Sequence, residues 1–132
     1  MADITITASL VTAPATSVLT AVEAITAGQA LYKTSGGQLG VATNADSAKD
    51  DVHGLAACNS AAGQPVVFME SGKTANFGAA ILAVSETYVL SVDGKFAPIG
   101  DIDSSDWVTR IGHATTTSTM LLDIKTQSLQ AP

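Results

Sequence analysis

The residues of this chain best suited to chemistry are two histidines, one cysteine and a few acidic pairs. A zinc centre takes three or four ligands from His, Cys, Asp or Glu. His53 and His113 are too few for a three-histidine site, and a lone Cys58 excludes both an intramolecular disulfide and a cysteine cluster. Each histidine flanks a glycine, in Val52-His-Gly-Leu-Ala56 and Ile111-Gly-His-Ala114, which is the setting of a turn or strand-surface residue. Cys58 follows Ala56 and Ala57 and reads as a small buried side chain.

The remaining candidates fail on spacing. Gly72-Lys73-Thr74 imitates the end of a phosphate loop, but the first glycine of G-x-x-x-x-G-K-[ST] would fall on Val67. Asp50-Asp51 and Asp101-Ile102-Asp103 could offer oxygens to a hard cation, yet neither lies in a spaced ligand loop closed by Glu. They read as solvated acidic loops. No serine lies in a G-x-S-x-G elbow. An enzyme site needs a cluster of titratable groups that activate one another. The sequence therefore predicts a protein with no catalytic activity and no cofactor or metal.

Composition narrows the partners. The 132 residues include 22 Ala, 16 Thr, 12 Ser and 11 Gly, so much of the 46% hydrophobic content is alanine. Only 14% of residues are charged, against about 25% in ordinary soluble domains. Mean hydropathy is nevertheless positive, at +0.31, as suits a surface partly covered by neighbours. A net charge of −6 and six scattered basic residues argue against nucleic acid and against an anionic membrane surface. No basic residue precedes Lys33, so no secretory signal is expected, and no apolar run approaches membrane-spanning length.

The elements that must position these residues are short β-strands. Ile4 to Val11 starts with the period-2 alternation of a half-buried strand, and Pro14 ends it. Ala30–Lys33 and Leu39–Ala42 flank the Gly36-Gly37 hairpin, Val52–Cys58 and Pro65–Glu70 flank an Ala/Gly loop, and Asp93-Gly94 marks a further hairpin. Trp107–His113 and Thr119–Lys125 form the last pair, and Phe77–Val84 is the one stretch where a helix competes. The fold class is mainly β: a small β-barrel or β-clip-like domain over 21–132, preceded by an extended N-terminal arm over 1–20.

The chain also repeats. Ala24-Ile25-Thr26 matches Ala83-Val84-Ser85, Leu31 matches Leu90, Gly37-Gln38-Leu39 matches Gly94-Lys95-Phe96, and Gly54-Leu55-Ala56 matches Gly112-His113-Ala114, at offsets of 57 to 59 residues. Two pseudo-repeated β units, about 24–69 and 83–124, follow. In that reading Leu31 and Leu90 occupy one place in a shared core. Trp107, with no aromatic counterpart in the first copy, is buried between the halves.

The stretch Ala24-Ile-Thr-Ala-Gly-Gln-Ala-Leu-Tyr-Lys33, then Gly37-Gln-Leu39 and Val52-His-Gly-Leu-Ala56, resembles the capsid decoration (cement) proteins of tailed bacteriophages. In that family an "[IV]-T-A-G-x-[AP]-[LV]-Y" strand leads into a glycine hairpin, an Asp/Ala loop and a "V-x-G-[LI]-A" strand. Glu86–Ser91 and Ile111–Thr116 resemble its closing half, and the likeness spans about residues 20 to 126. His113 departs from the pattern, which carries a small or aliphatic residue there. The resemblance implies a structural virion protein on the outer surface of a capsid, made in the host cytoplasm. Its partners would be the major capsid protein and itself, as a homotrimer. An arm of Asp3, Ile4, Thr5, Ile6, Thr7 and Ala8 would bind the shell. The alternative is a virion surface or tail module that adheres to host glycans. Such sites present exposed aromatics, and one Trp, two Tyr and three Phe leave few to spare.

Overall fold

The computed structural model describes residues 6, 11, 17–43, 49, 52–78, 80–91, 94–99 and 107–130, with the side chains of 107, 108 and 125–130 outside the description. Ten strands and no α-helix lie among these residues. The first five are β1 (Ser17–Thr20), β2 (Ala30–Lys33), β3 (Leu39–Val41), β4 (Val52–Ala56) and β5 (Pro65–Met69). The second five are β6 (Thr74–Asn76), β7 (Thr87–Leu90), β8 (Phe96–Pro98), β9 (Trp107–Ala114) and β10 (Thr119–Gln130). The structure is mainly β, in two antiparallel five-stranded sheets. Strand order is β1-β5-β4-β2-β3 in one and β6-β10-β9-β7-β8 in the other. Adding five to each strand number turns the first sheet into the second.

The equivalence extends to single residues. Leu31 faces Gly54 across β2 and β4, and Tyr88 faces Gly112 across β7 and β9. Each ladder then slips by one residue at the next pair, Tyr32 with Val52 and Val89 with Arg110. A bulge repeated at one point of two ladders is a constructed feature of the fold. Ala56 pairs with Phe68 as Ala114 pairs with Met120, and Phe68 pairs with Ser17 as Met120 pairs with Ala75. Two copies of one unit, β1–β5 and β6–β10, account for the ten strands described.

The turn before β2 and the turn before β7 correspond as well. Gln29 N–H donates to Thr26 C=O at 3.2 Å and Glu86 N–H to Ala83 C=O at 3.0 Å. Gly28 N–H then donates to Ala56 C=O at 2.8 Å, and Ser85 N–H to Ala114 C=O at 2.9 Å. The third residue of each turn has a left-handed backbone, φ 92° at Gly28 and φ 69° at Ser85. The structural partner of Ala83-Val84-Ser85 is therefore Thr26-Ala27-Gly28, two residues on from the sequence match. Leu31 likewise corresponds to Tyr88 and not to Leu90, whose counterpart is the exposed Lys33.

A left-handed Ser is strained where a Gly is not. Ser85→Gly should leave stability within about 0.5 kcal/mol, relief of strain offsetting the added freedom of the unfolded chain. Gly28→Ser should cost about 2 kcal/mol, because a Cβ there meets Ile6 Cγ2 at 2.7 Å as well as an unfavourable φ. Urea melts of the two variants measure this asymmetry.

The two sheets differ in burial. Alternate residues of the first sheet point into separate clusters. Leu31, Leu39, Ala56 and Phe68 pack with Ala21 and Ile25 in a core private to the first unit. From the other face Ala30, Val52, Leu55 and Met69, with Ala27 and Ala42 beside them, enter a larger core shared with the second unit. Tyr88, Leu90, Phe96, Ala114 and Met120 supply the second unit's part. Leu31 and Leu90 are thus both buried but in different clusters, because the first sheet is covered on both faces.

Other sequence expectations meet the structure as follows. Ser17–Thr20 pairs with β5, so the β domain begins at residue 17 or before and not at residue 21. Phe77 to Val84 forms bends and turns at its described residues, with Phe77 and Leu82 buried, and no helix. Trp107 pairs with Gln130 along β9 and β10, while its side chain lies outside the description. Among the described residues the strand pairing leaves each sheet with two edges. A single parallel bridge, Ala21 to Leu39, draws the edges of the first sheet together at one point.

Candidate functional site: a partly exposed face on the second sheet

The residues first considered for chemistry are used by the fold and lie apart. His53 is the extra residue of the β4 bulge and lays its ring on Phe68, with centroids 5.5 Å apart. His113 stands opposite Thr87 and Leu121 in the second sheet. Cys58 is half-buried, and its Sγ accepts a hydrogen bond from Val67 N–H at 3.4 Å. Lys73 sits in the turn that passes the chain from sheet to sheet. Its carbonyl accepts Leu122 N–H at 2.8 Å, while Gly72 N–H donates to Leu122 C=O at 2.8 Å. Among the described residues no three of His, Cys, Asp and Glu gather where a metal could be held. Asp50, Asp51, Asp101 and Asp103 lie outside the described residues, as do Asp3, Ile4, Thr5, Thr7 and Ala8 of the arm.

Of the arm, Ile6 and Val11 are described, and both pack on the chain's own domain. Val11 is buried in the shared core and Ile6 packs against it. A Cβ built at Gly28 would meet Ile6 Cγ2 at 2.7 Å and Val11 Cγ2 at 3.4 Å, so the two side chains roof that turn. The arm is therefore not wholly outside the compact domain, because Ile6 and Val11 pack on the shared core beside Gly28. Removing residues 1–11 should lower stability by about 2 kcal/mol through the loss of these burials, measured by chemical denaturation of the truncated chain. An unchanged melt would show that the segment contributes nothing to the fold.

What the structure does assemble is a face. Thr87, Arg110, His113 and Leu121 project half-buried from the side of the second sheet turned away from the shared core, where Val89 and Ala97 on the same side are buried. Val84 and Ile99 border them, 57% and 45% exposed. Arg110 is ion-paired with Asp123 across β9 and β10, each side chain about a third exposed. Such an exposed pair contributes at most about 1 kcal/mol and sets local charge more than stability. The first unit adds a second exposed apolar pair, Val18 at 53% and Val22 at 39%, on and beside the edge strand β1. Sequence reasoning missed both places, since an exposed valine looks like any other valine until the sheet partners are known.

The described residues define a duplicated, mainly β protein with exposed apolar side chains at an edge strand and on one sheet. No protein-family model matches the chain, and no curated protein matches it.

Proposed function

We propose that this chain is a structural virion protein that binds the outer surface of a bacteriophage capsid, bridges major capsid proteins and associates with copies of itself, without turnover. The observation that carries the reading is the edge of the first sheet. Among the described residues β1 is an outermost strand whose Ser17–Thr20 backbone pairs on one side with β5 alone, and Val18 is exposed there. Val22 is exposed just beyond it, where its N–H donates to Leu39 C=O at 2.8 Å. An exposed edge strand is a template for a strand from another chain. The low charge of the chain favours lasting contact at such an edge over free solvation. The sequence likeness to capsid decoration proteins supplies the partner, the major capsid protein, and the homotrimeric state. His53 and Cys58, engaged with Phe68 and Val67, serve packing in this reading.

The test is co-sedimentation with capsids that lack the protein. The full chain should bind saturably in many copies per particle and raise the temperature at which the shells open. The double variant Val18→Asp, Val22→Asp should fold and bind less. Failure of the unaltered chain to bind any tailed-phage capsid would overturn the proposal, and equal binding by the variant would move the contact away from the β1 edge.

A further inference from the structure

The joint between the two units is head-to-tail. The hairpin between β7 and β8 lies on the first unit: Gly94 N–H donates to Ala42 C=O at 2.6 Å, and a Cβ at Gly94 would meet Gln29 Cβ and Val41 Cγ1, both at 3.0 Å. The equivalent hairpin of the first unit, between β2 and β3, has no such contact at its matching glycine. Gly37 has the same left-handed backbone as Gly94, φ 80° against 75°, and open space around its absent Cβ. Ser91 is buried in the second hairpin, while its counterpart Thr34 is half-exposed in the first. One tip is docked, and the other has open space at its glycine.

The receiving faces show the complementary vacancy. The first unit contributes Ala27, Ala30, Ala42, Val52, Leu55 and Met69 to the shared core, all buried. By the strand registers their counterparts in the second unit are Val84, Thr87, Ile99, Arg110, His113 and Leu121, and not one is buried. Two of the four exposed large apolar side chains among the described residues, Val84 and Ile99, stand at these positions. A heterologous joint made once within the chain leaves one unused half at each end, and a second copy is the body that fits both.

We propose that a second copy of this chain docks its first unit on the partly exposed face of the second unit, with its β2–β3 hairpin tip over Pro98 and Ile99 and with Val84 and Ile99 covered. The arrangement repeats the intrachain joint between chains. Closed on itself it gives a ring in which every unit has a neighbour on both sides. The inference rests on the self-association in the proposed function, but not on capsid binding.

Two singly substituted chains test it. Gly36→Cys is placed at the β2–β3 tip, where a Cβ meets only Thr34 Oγ1 at 3.8 Å, and Ile99→Cys on the receiving face, both in a Cys58→Ser background. The chains carry tags of different size, are mixed at high concentration and oxidised. The mixed disulfide dimer should form well beyond its statistical proportion, with either homodimer scarce. Adding Val84→Asp to the Ile99→Cys chain should suppress the mixed dimer while its melting curve remains that of a folded protein. Statistical proportions, absence of the mixed dimer, or indifference to Val84→Asp would each overturn the assignment of this face. Capsid co-sedimentation of the unaltered chain, run in parallel, separates the outcomes: binding without mixed dimers sinks this interface alone.

Discussion

Gly54→Ala and Gly112→Ala should each destabilise the protein by about 3 kcal/mol, a size reached when a methyl group is forced into closed packing. The two glycines stand at equivalent points of the two units, beside the bulge that each β2–β4 and β7–β9 ladder carries. A Cβ at Gly54 would run into the carbonyl oxygen of Met69 and approach Phe68 Cδ2 to 2.7 Å. At Gly112 it would run into the carbonyl oxygen of Leu121, with Leu121 C at 3.0 Å and Leu122 Cα at 3.2 Å. Met69 and Leu121 are themselves equivalent, opposite Leu55 and His113. Backbone held in a sheet cannot swing aside as a long side chain does, so relief requires the strands to separate. Gly36→Ala is the control, with only an ordinary contact at 3.8 Å, and should be near neutral. Equilibrium denaturation of the three variants gives the comparison. A loss under about 1 kcal/mol at both Gly54 and Gly112 would contradict the close approach described.

Phe96→Ala should cost about 3–5 kcal/mol, the range for deleting a buried phenyl ring. Phe96 is fully buried in β8 and meets Phe77 edge-on, with centroids 6.1 Å apart and planes at 61°. Both rings belong to the cluster that also holds Ala30, Leu55 and Met69 of the first unit. The cavity therefore opens in packing that both units share, and the variant should still unfold in one transition, with both sheets lost together. The loss is a large part of the about 5–15 kcal/mol typical of whole domains. Phe68→Ala, in the first unit's private cluster, should cost a similar amount. Two resolved transitions in the Phe96→Ala melt would show that the units are independent, against a shared core.

The repeat was legible where the two copies had to solve one steric problem with one residue. Gly54 and Gly112 admit no side chain, so G-x-A survives in both copies and marks the register of β4 and β9. Gly37 and Gly94 likewise share a left-handed hairpin position. Where two residue types satisfy one requirement, the match slipped. Gly28 and Ser85 take the same positive φ, but their letters differ, and the alignment by Ala-Ile-Thr came out two residues off. A slip of two keeps side chains on the same face of a strand, which is why Leu31 and Leu90 still looked equivalent. What was not legible is the asymmetry. Ala27 and Ala42 are buried and Val84 and Ile99 exposed at matching positions, because burial here depends on the neighbouring unit and not on the strand. Nor could the sequence show that Ile6 and Val11 fold back over Gly28, since alternation in Ile4–Ala8 fits a partner in the same chain as well as one in another.

The most direct measurement is a three-dimensional reconstruction of purified phage particles carrying this protein, at a resolution that traces strands. The account predicts many copies at symmetry-related sites on the outer shell, clustered in threes. The β1 edge should lie against the major capsid protein, and neighbouring copies should meet through a β2–β3 hairpin on the Val84 and Ile99 face. Absence of the chain from the shell, or single isolated copies confined to the tail, would contradict it.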